Sequence, residues 1–112
     1  MTNETSREIR SEITSEGKLL LSIATVDKPT PKDDEVLIKV EAAPINPSDL
    51  ALLLSFASDP STLQVTGTGD ETVASMDIHK GLMKAMKPRM GQSMQVGNEG
   101  GGVVEAAGAN AQ

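Results

Sequence analysis

The sequence predicts a mainly β domain with short helices, and three observations carry that prediction. Residues 35–42 alternate, with Val36, Ile38 and Val40 on one side and Leu37, Lys39 and Glu41 on the other. This is the period of a half-buried strand. The runs K-L-L-L-S-I-A-T-V at 18–26 and V-V-E-A-A at 103–107 have strand length and are bounded by turn residues. The first three strand candidates are joined by short connections, which suit an antiparallel meander and leave no room for βαβ crossovers.

Taken in order, residues 1–7 are polar and predict a frayed tail. Residues 8–13 form a candidate edge strand with Ile9 and Ile13 as its apolar positions, and Glu16-Gly17 supplies the turn into the strand at 18–26. The loop Pro29-Thr30-Pro31-Lys32-Asp33-Asp34 stiffens the entry to the strand at 35–42. Pro44 and Pro47 bracket Ile45 and Asn46, so that strand stops. Ser48 or Asp49 then has the side chain to cap a short helix over the apolar residues 50–56, which ends before Asp59-Pro60. Residues 63–68 and 72–77 read as strands paired about Gly69-Asp70. Residues 78–90 read as a helix, with Ile78, Leu82 and Met86 in one stripe, Lys80, Lys84 and Lys87 on another face, and Pro88 at its end. Residues 94–96 lead into Gly97-Asn98-Glu99-Gly100-Gly101-Gly102, and the strand at 103–107 closes with Gly108. A sheet that stops there leaves an unpaired edge.

The totals narrow the function classes. The chain has 112 residues, the size of one domain, whole or incomplete. Only 38% are hydrophobic and Phe56 is the sole aromatic, so the core must be aliphatic and methionine-filled. A net charge of −6 is the wrong sign for a nucleic-acid partner. The absence of cysteine removes disulfides and thiolate metal ligands. No apolar run has the roughly 18 residues of a membrane span, and the N-terminus lacks a signal-peptide core, so a cytoplasmic protein with no membrane partner is expected.

The segment E-V-L-I-K-V-E-A-A-P-I-N-P-S-D-L at 35–50, followed by V-G-N-E-G-G-G-V-V-E-A-A-G at 96–108, resembles the medium-chain dehydrogenase/reductase superfamily. The closer likeness is to its zinc-independent, quinone oxidoreductase-like branch, whose members are often labelled zinc-binding dehydrogenases. The likeness covers the N-terminal GroES-like domain. It implies a partial GroES-like barrel over 18–112, after a tail and candidate edge strand at 1–17, with the chain ending before a Rossmann domain. It further implies an NADPH-dependent enzyme that reduces quinones or activated alkenes by hydride transfer. Its partners are the nicotinamide cofactor and a small-molecule acceptor, and this portion is inactive alone. No dinucleotide-binding fingerprint is present here. The alternative is a non-catalytic β-rich interaction module derived from such a reductase, with homodimerisation through the open edge as its simplest form.

In the same resemblance, zinc-dependent relatives carry a cysteine where this chain has Asn46 and a histidine where it has Asn98. Two amides and Glu99 do not make a zinc site, and His79, the single histidine, falls elsewhere, so no zinc is expected. Asn46, Asp49 and Glu99 are the candidate cofactor-binding residues, and no catalytic residue is assigned. For each, a local role competes. Asn46 can bond backbone between its prolines. Asp49 can serve a helix N-terminus, and Glu99 can accept from amides of the glycine loop. Gly100 to Gly102 precede a strand, which fits close backbone packing better than a phosphate cradle.

Overall fold

The computed structural model describes residues 4–111. Among them, β1 (Thr5–Ile13), β2 (Lys18–Asp27), β4 (Ser58–Thr66), β5 (Val73–Ile78) and β6 (Met94–Gln95) build one antiparallel sheet in the order β4-β5-β2-β1-β6. A separate ribbon pairs β3 (Val36–Ala42) with β7 (Gly101–Ala107), also antiparallel. The helices are single turns: α1 (Leu50–Leu53), α2 (Met83–Met86), and 3₁₀ turns at Pro47–Asp49, Gly69–Glu71, Lys80–Leu82 and Lys87–Arg89. The mainly β expectation with short helices therefore holds. No helix among the described residues is long and apolar enough to cross a membrane.

β1 and β2 form a hairpin because their alternating apolar residues meet in register, Ile9 opposite Ile23 and Ile13 opposite Leu19. Gly17 closes the turn at φ +89°, a left-handed conformation that glycine enters without steric cost. Its amide donates to the Thr14 carbonyl at 3.0 Å. Thr5, Ser6 and Arg7 already belong to β1, so the expected tail shrinks. The part of it at 1–3 lies outside the described residues. β1 is an edge strand only over its first half, since β6 pairs with Arg10 and Ser11.

Leu19 lies between Ile13 on β1 and Met76 on β5. Around it gathers the core of Ile13, Leu19, Ala57, Met76, Ile78 and Met86, with Leu82, Met83 and Met90 packed against it. Four of these are methionines, whose unbranched thioethers fill a space that no aromatic ring fills here.

Three sequence expectations are corrected. The helix over 78–90 is instead the end of β5 followed by 3₁₀ turns and α2. The Ile78 amide donates to the Gly17 carbonyl at 2.8 Å and the His79 amide to the Ala57 carbonyl at 2.7 Å. These long-range bonds outcompete a helical start already weakened by Gly81 and stopped by Pro88. Ile78, Leu82 and Met86 still reach one core, but from three different elements. Next, β4 begins at Ser58, and Asp59-Pro60 is an irregularity inside the strand, where the register shifts between Asp59 and Gln64. The Asp59 carboxylate, held below its usual range chiefly by the Ser61 hydroxyl and amide, shapes that bend. Finally, the meander ends at β2, whose second neighbour is β5, and β3 leaves the sheet to pair with β7.

The alternation of β3 exists, but its apolar side is not half-buried. Val36, Ile38 and Val40 are all exposed, Val40 by 59%, because no other described element covers this face of the ribbon. The sheets do not close on one another. The radius of gyration, 16.8 Å, exceeds the roughly 13 Å of a compact chain this long. Within the ribbon, Gly102 packs so tightly that a Cβ there would overlap the Lys39 carbonyl, so the glycines of this region serve backbone approach.

One side chain ties ribbon to sheet. Lys28 Nζ donates to Glu4 Oε2 at 2.6 Å and to Glu105 Oε1 at 2.9 Å. The Lys28 hydrogen bond, then its charge, holds the Glu4 carboxyl below its ordinary 4.5. Its hydrogen bonds to Glu4 and then to Glu105 raise the Lys28 ammonium above its ordinary 10.5. A depressed carboxyl stabilises above its ordinary value and loses that contribution as pH falls through its folded value. A raised ammonium stabilises below its ordinary value and loses it as pH rises through its folded value. The tie is therefore intact between those limits and released by acid or strong base. Glu4 is exposed and Lys28 half-buried, so solvent screens the pair and the effect is local. In carbon-detected NMR titration, Glu4 should protonate at lower pH in the native chain than in Lys28→Met. Equal midpoints would show that the tie is absent in solution.

Candidate functional site

The polar cluster grows from the end of β3. The residue before a proline is driven into extended backbone, and Asn46, preceding Pro47, has φ −90° and ψ 158°. Pro47 then opens the 3₁₀ turn, at a position where a missing N–H costs nothing. The Asp49 amide donates to the Asn46 carbonyl at 2.9 Å, and the Asn46 amide donates back to Asp49 Oδ2 at 2.8 Å. Asn46 is thus the cap and Asp49 the third residue of the turn reaching back to it. Asp49 also stands, as expected, at the N-cap position of α1, but its side chain makes no capping bond there and reaches back to Asn46 instead.

The glycine-rich segment before β7 supplies the other side. Asn98 Nδ2 donates to Asp49 Oδ1 at 2.9 Å and to Ser48 Oγ at 3.1 Å. Asn46 Nδ2 donates to Glu99 Oε2 at 3.1 Å. The pairs cross, each amide bonding a carboxylate of the other segment. β3 and β7 are hydrogen-bonded neighbours, and the end of one meets the start of the other. Asn46, Asp49 and Glu99, the three residues singled out in the sequence, are therefore brought together.

Burial grades across the cluster. Asp49 is 3% exposed, Asn46 half-buried, and Asn98 and Glu99 exposed. Among the described residues Asp49 has no cationic partner, but it places each oxygen on a donor, which offsets the cost of removing a carboxylate from water. A carboxylate only accepts, so the amide nitrogens of Asn46 and Asn98 must face the acids. Asn98 Oδ1 and Glu99 Oε1 then remain as acceptors with no bond inside the cluster. Such a surface takes an N–H or O–H donor from a ligand.

Among the described residues, no three His, Cys, Asp or Glu side chains gather as a metal-binding group. His79 stands exposed at the start of the 3₁₀ turn Lys80–Leu82, away from the cluster. Lys80, Lys84 and Lys87 are solvated, as a charged face predicts.

A large groove lies elsewhere. A groove of about 980 Å³ runs between β1 and the ribbon, walled by Ile9, Ile23, Ile38 and Val40, with Arg7 and Lys39 at its margins. None of Asn46, Asp49, Asn98 and Glu99 lines it. The groove is the gap left by sheets that do not close, whereas the cluster holds the fixed polar geometry a site needs. The cluster is therefore the candidate site.

Two polar groups were not among the candidate site residues. Asn98 completes the cluster, and its signal was its place beside Glu99. Ser11 is fully buried, donates to the Leu52 carbonyl at 2.6 Å and accepts from Arg89 Nη2 at 3.1 Å. It joins α1 and the turn at Lys87–Arg89 to β1, and burial pushes the Arg89 guanidinium down. Its inward position between Ile9 and Ile13 was the only sequence clue.

No protein-family model matches the chain, and no curated protein matches it significantly.

Proposed function

We propose that this chain is the GroES-like portion of a medium-chain dehydrogenase/reductase of the zinc-independent, quinone oxidoreductase-like branch. In this reading it forms one wall of a cleft where NADPH reduces a quinone or an activated alkene, and it works in the cytoplasm. The supporting observation is the crossed pair of bonds, Asn46 to Glu99 and Asn98 to Asp49. They join, in space, the two segments that carry the family resemblance.

The residues fit only one end of the cofactor. The acceptors Asn98 Oδ1 and Glu99 Oε1 suit the N–H groups of a carboxamide. The diphosphate finds no cradle among the described residues, because Gly102 is packed against Lys39 and the glycines lead into β7. When bound, NADPH supplies the hydride, and the protein positions it and excludes water. Asp49 holds both amides from its buried place, and Glu99 fixes the direction of Asn46. Zinc has no part in this reading, since the cluster's amides and carboxylates are already bonded to one another.

The test is an NMR titration of ¹⁵N-labelled chain with nicotinamide and, separately, NADPH. Weak, fast-exchange shifts confined to the side-chain NH₂ groups of Asn46 and Asn98 are expected with both ligands, and tight saturable NADPH binding with neither. The chain alone should oxidise NADPH in the presence of a quinone no faster than buffer. Shifts restricted to the groove between the sheets, or none, would overturn the assignment of the site.

A second reading, a β-rich module that associates with its own kind, is favoured by one observation. The β3–β7 ribbon has unpaired edges and exposes Val103 and Val104. Concentration-dependent broadening of the Val103 and Val104 amides in the same spectra would favour it.

A further inference from the structure

The segment at 79–90 is held to the sheet largely by sulfur. Helical turns this short are not stable alone, so their position depends on packing. Backbone bonds fix the ends of the segment, His79 to Ala57 at 2.7 Å and Gly91 to Ile13 at 2.9 Å. Between them Leu82, Met83, Met86 and Met90 pack into or against the core, and Arg89 reaches Ser11. Met76 and Met86 are buried, whereas Met83 and Met90 pack against the core from half-buried positions. The Met83 sulfur lies over Gly17, 2.9 Å from where a Cβ would stand. The chain has no cysteine, tryptophan or tyrosine, so its thioethers are the side chains most open to peroxide.

We propose that Met83 and Met90 are oxidation sites at which a peroxide releases residues 79–90 from the sheet. The thioether sulfur attacks one peroxide oxygen. The S–O bond forms as the O–O bond breaks, the sulfur loses two electrons, and the reduced peroxide leaves as water or an alcohol. The product is a polar sulfoxide with a strong acceptor oxygen. Over Gly17 that oxygen gains nothing from the Gly17 amide, which is already bonded to Thr14. An unpartnered polar group against an apolar cluster is expelled to water, and the turns leave with it. Met86, which accepts a weak bond from the Ser55 hydroxyl at 3.7 Å, becomes reachable only afterwards.

Graded hydrogen peroxide on the whole chain, followed by peptide mass mapping and hydrogen exchange, tests the proposal. Met83 and Met90 should gain oxygen at least about tenfold faster than Met76 and Met86. Exchange across residues 78–91 should rise in step with those first two events. Met94, half-buried on β6 and outside the cluster, gives the rate of a methionine without this coupling. The double variant Met83→Leu, Met90→Leu keeps apolar volume and should hold exchange slow at the same dose. Equal oxidation rates for all four methionines, or full oxidation of Met83 and Met90 with unchanged exchange, would overturn it. The order of events in the native chain decides the matter even if the double variant does not fold.

Discussion

Leu19→Ala is expected to leave the chain largely unfolded at room temperature. Leu19 is fully buried, faces Ile13 on one neighbouring strand and Met76 on the other, and stands in a core of few residues. Strands on both sides prevent the site from collapsing around the missing atoms, which places the loss in the upper part of the about 2–5 kcal/mol range for such truncations. A domain this size has about 5–15 kcal/mol in total, and an open pair of sheets belongs at the lower end. Leu63→Ala is the control, because Leu63 is exposed and its truncation should change stability by less than about 0.5 kcal/mol. Urea denaturation followed by far-ultraviolet circular dichroism measures both, there being no tryptophan or tyrosine to follow. Similar midpoints for the two variants would mean that the core lies elsewhere.

What could be read from the sequence was what short-range chemistry decides. Alternation marked β3, Gly17 marked a turn, Gly69-Asp70 marked the β4–β5 hairpin, and the methionines were assigned to the core. What could not be read was partner choice. Nothing in residues 36–42 says that β7 and not β2 is the neighbour, since either pairing satisfies the same backbone groups. The same blindness explains the helix expected at 78–90. Its stripe of Ile78, Leu82 and Met86 was a true record of burial, but bonds to the Gly17 and Ala57 carbonyls decided the backbone. At the cluster, Asn46, Asp49 and Glu99 were visible as residues. Their mutual bonds were not, because pairing β3 with β7 is what brings them within reach.

That pairing makes the two acids of the cluster unequal, and amide replacement separates them. Asp49 receives a backbone N–H on one oxygen and the Asn98 amide on the other. Asp49→Asn must turn its new NH₂ toward one of these donors, so two donors face each other in a place from which water is excluded. A loss of about 1–3 kcal/mol follows, the usual cost of a buried donor left unmatched. Glu99 is exposed and bonded within the cluster through one oxygen only, to Asn46 Nδ2. Glu99→Gln can turn its carbonyl to the same donor and should cost less than about 0.5 kcal/mol. Urea midpoints give the energies, and the Asn46 and Asn98 side-chain NH₂ resonances report the geometry. In Asp49→Asn the Asn98 resonances should move toward free-amide positions, and in Glu99→Gln those of Asn46 should barely move. A silent Asp49→Asn, or a Glu99→Gln that costs as much, would mean that the crossed bonds do not hold the ends of β3 and β7 together. The site proposed on them would then lose its frame.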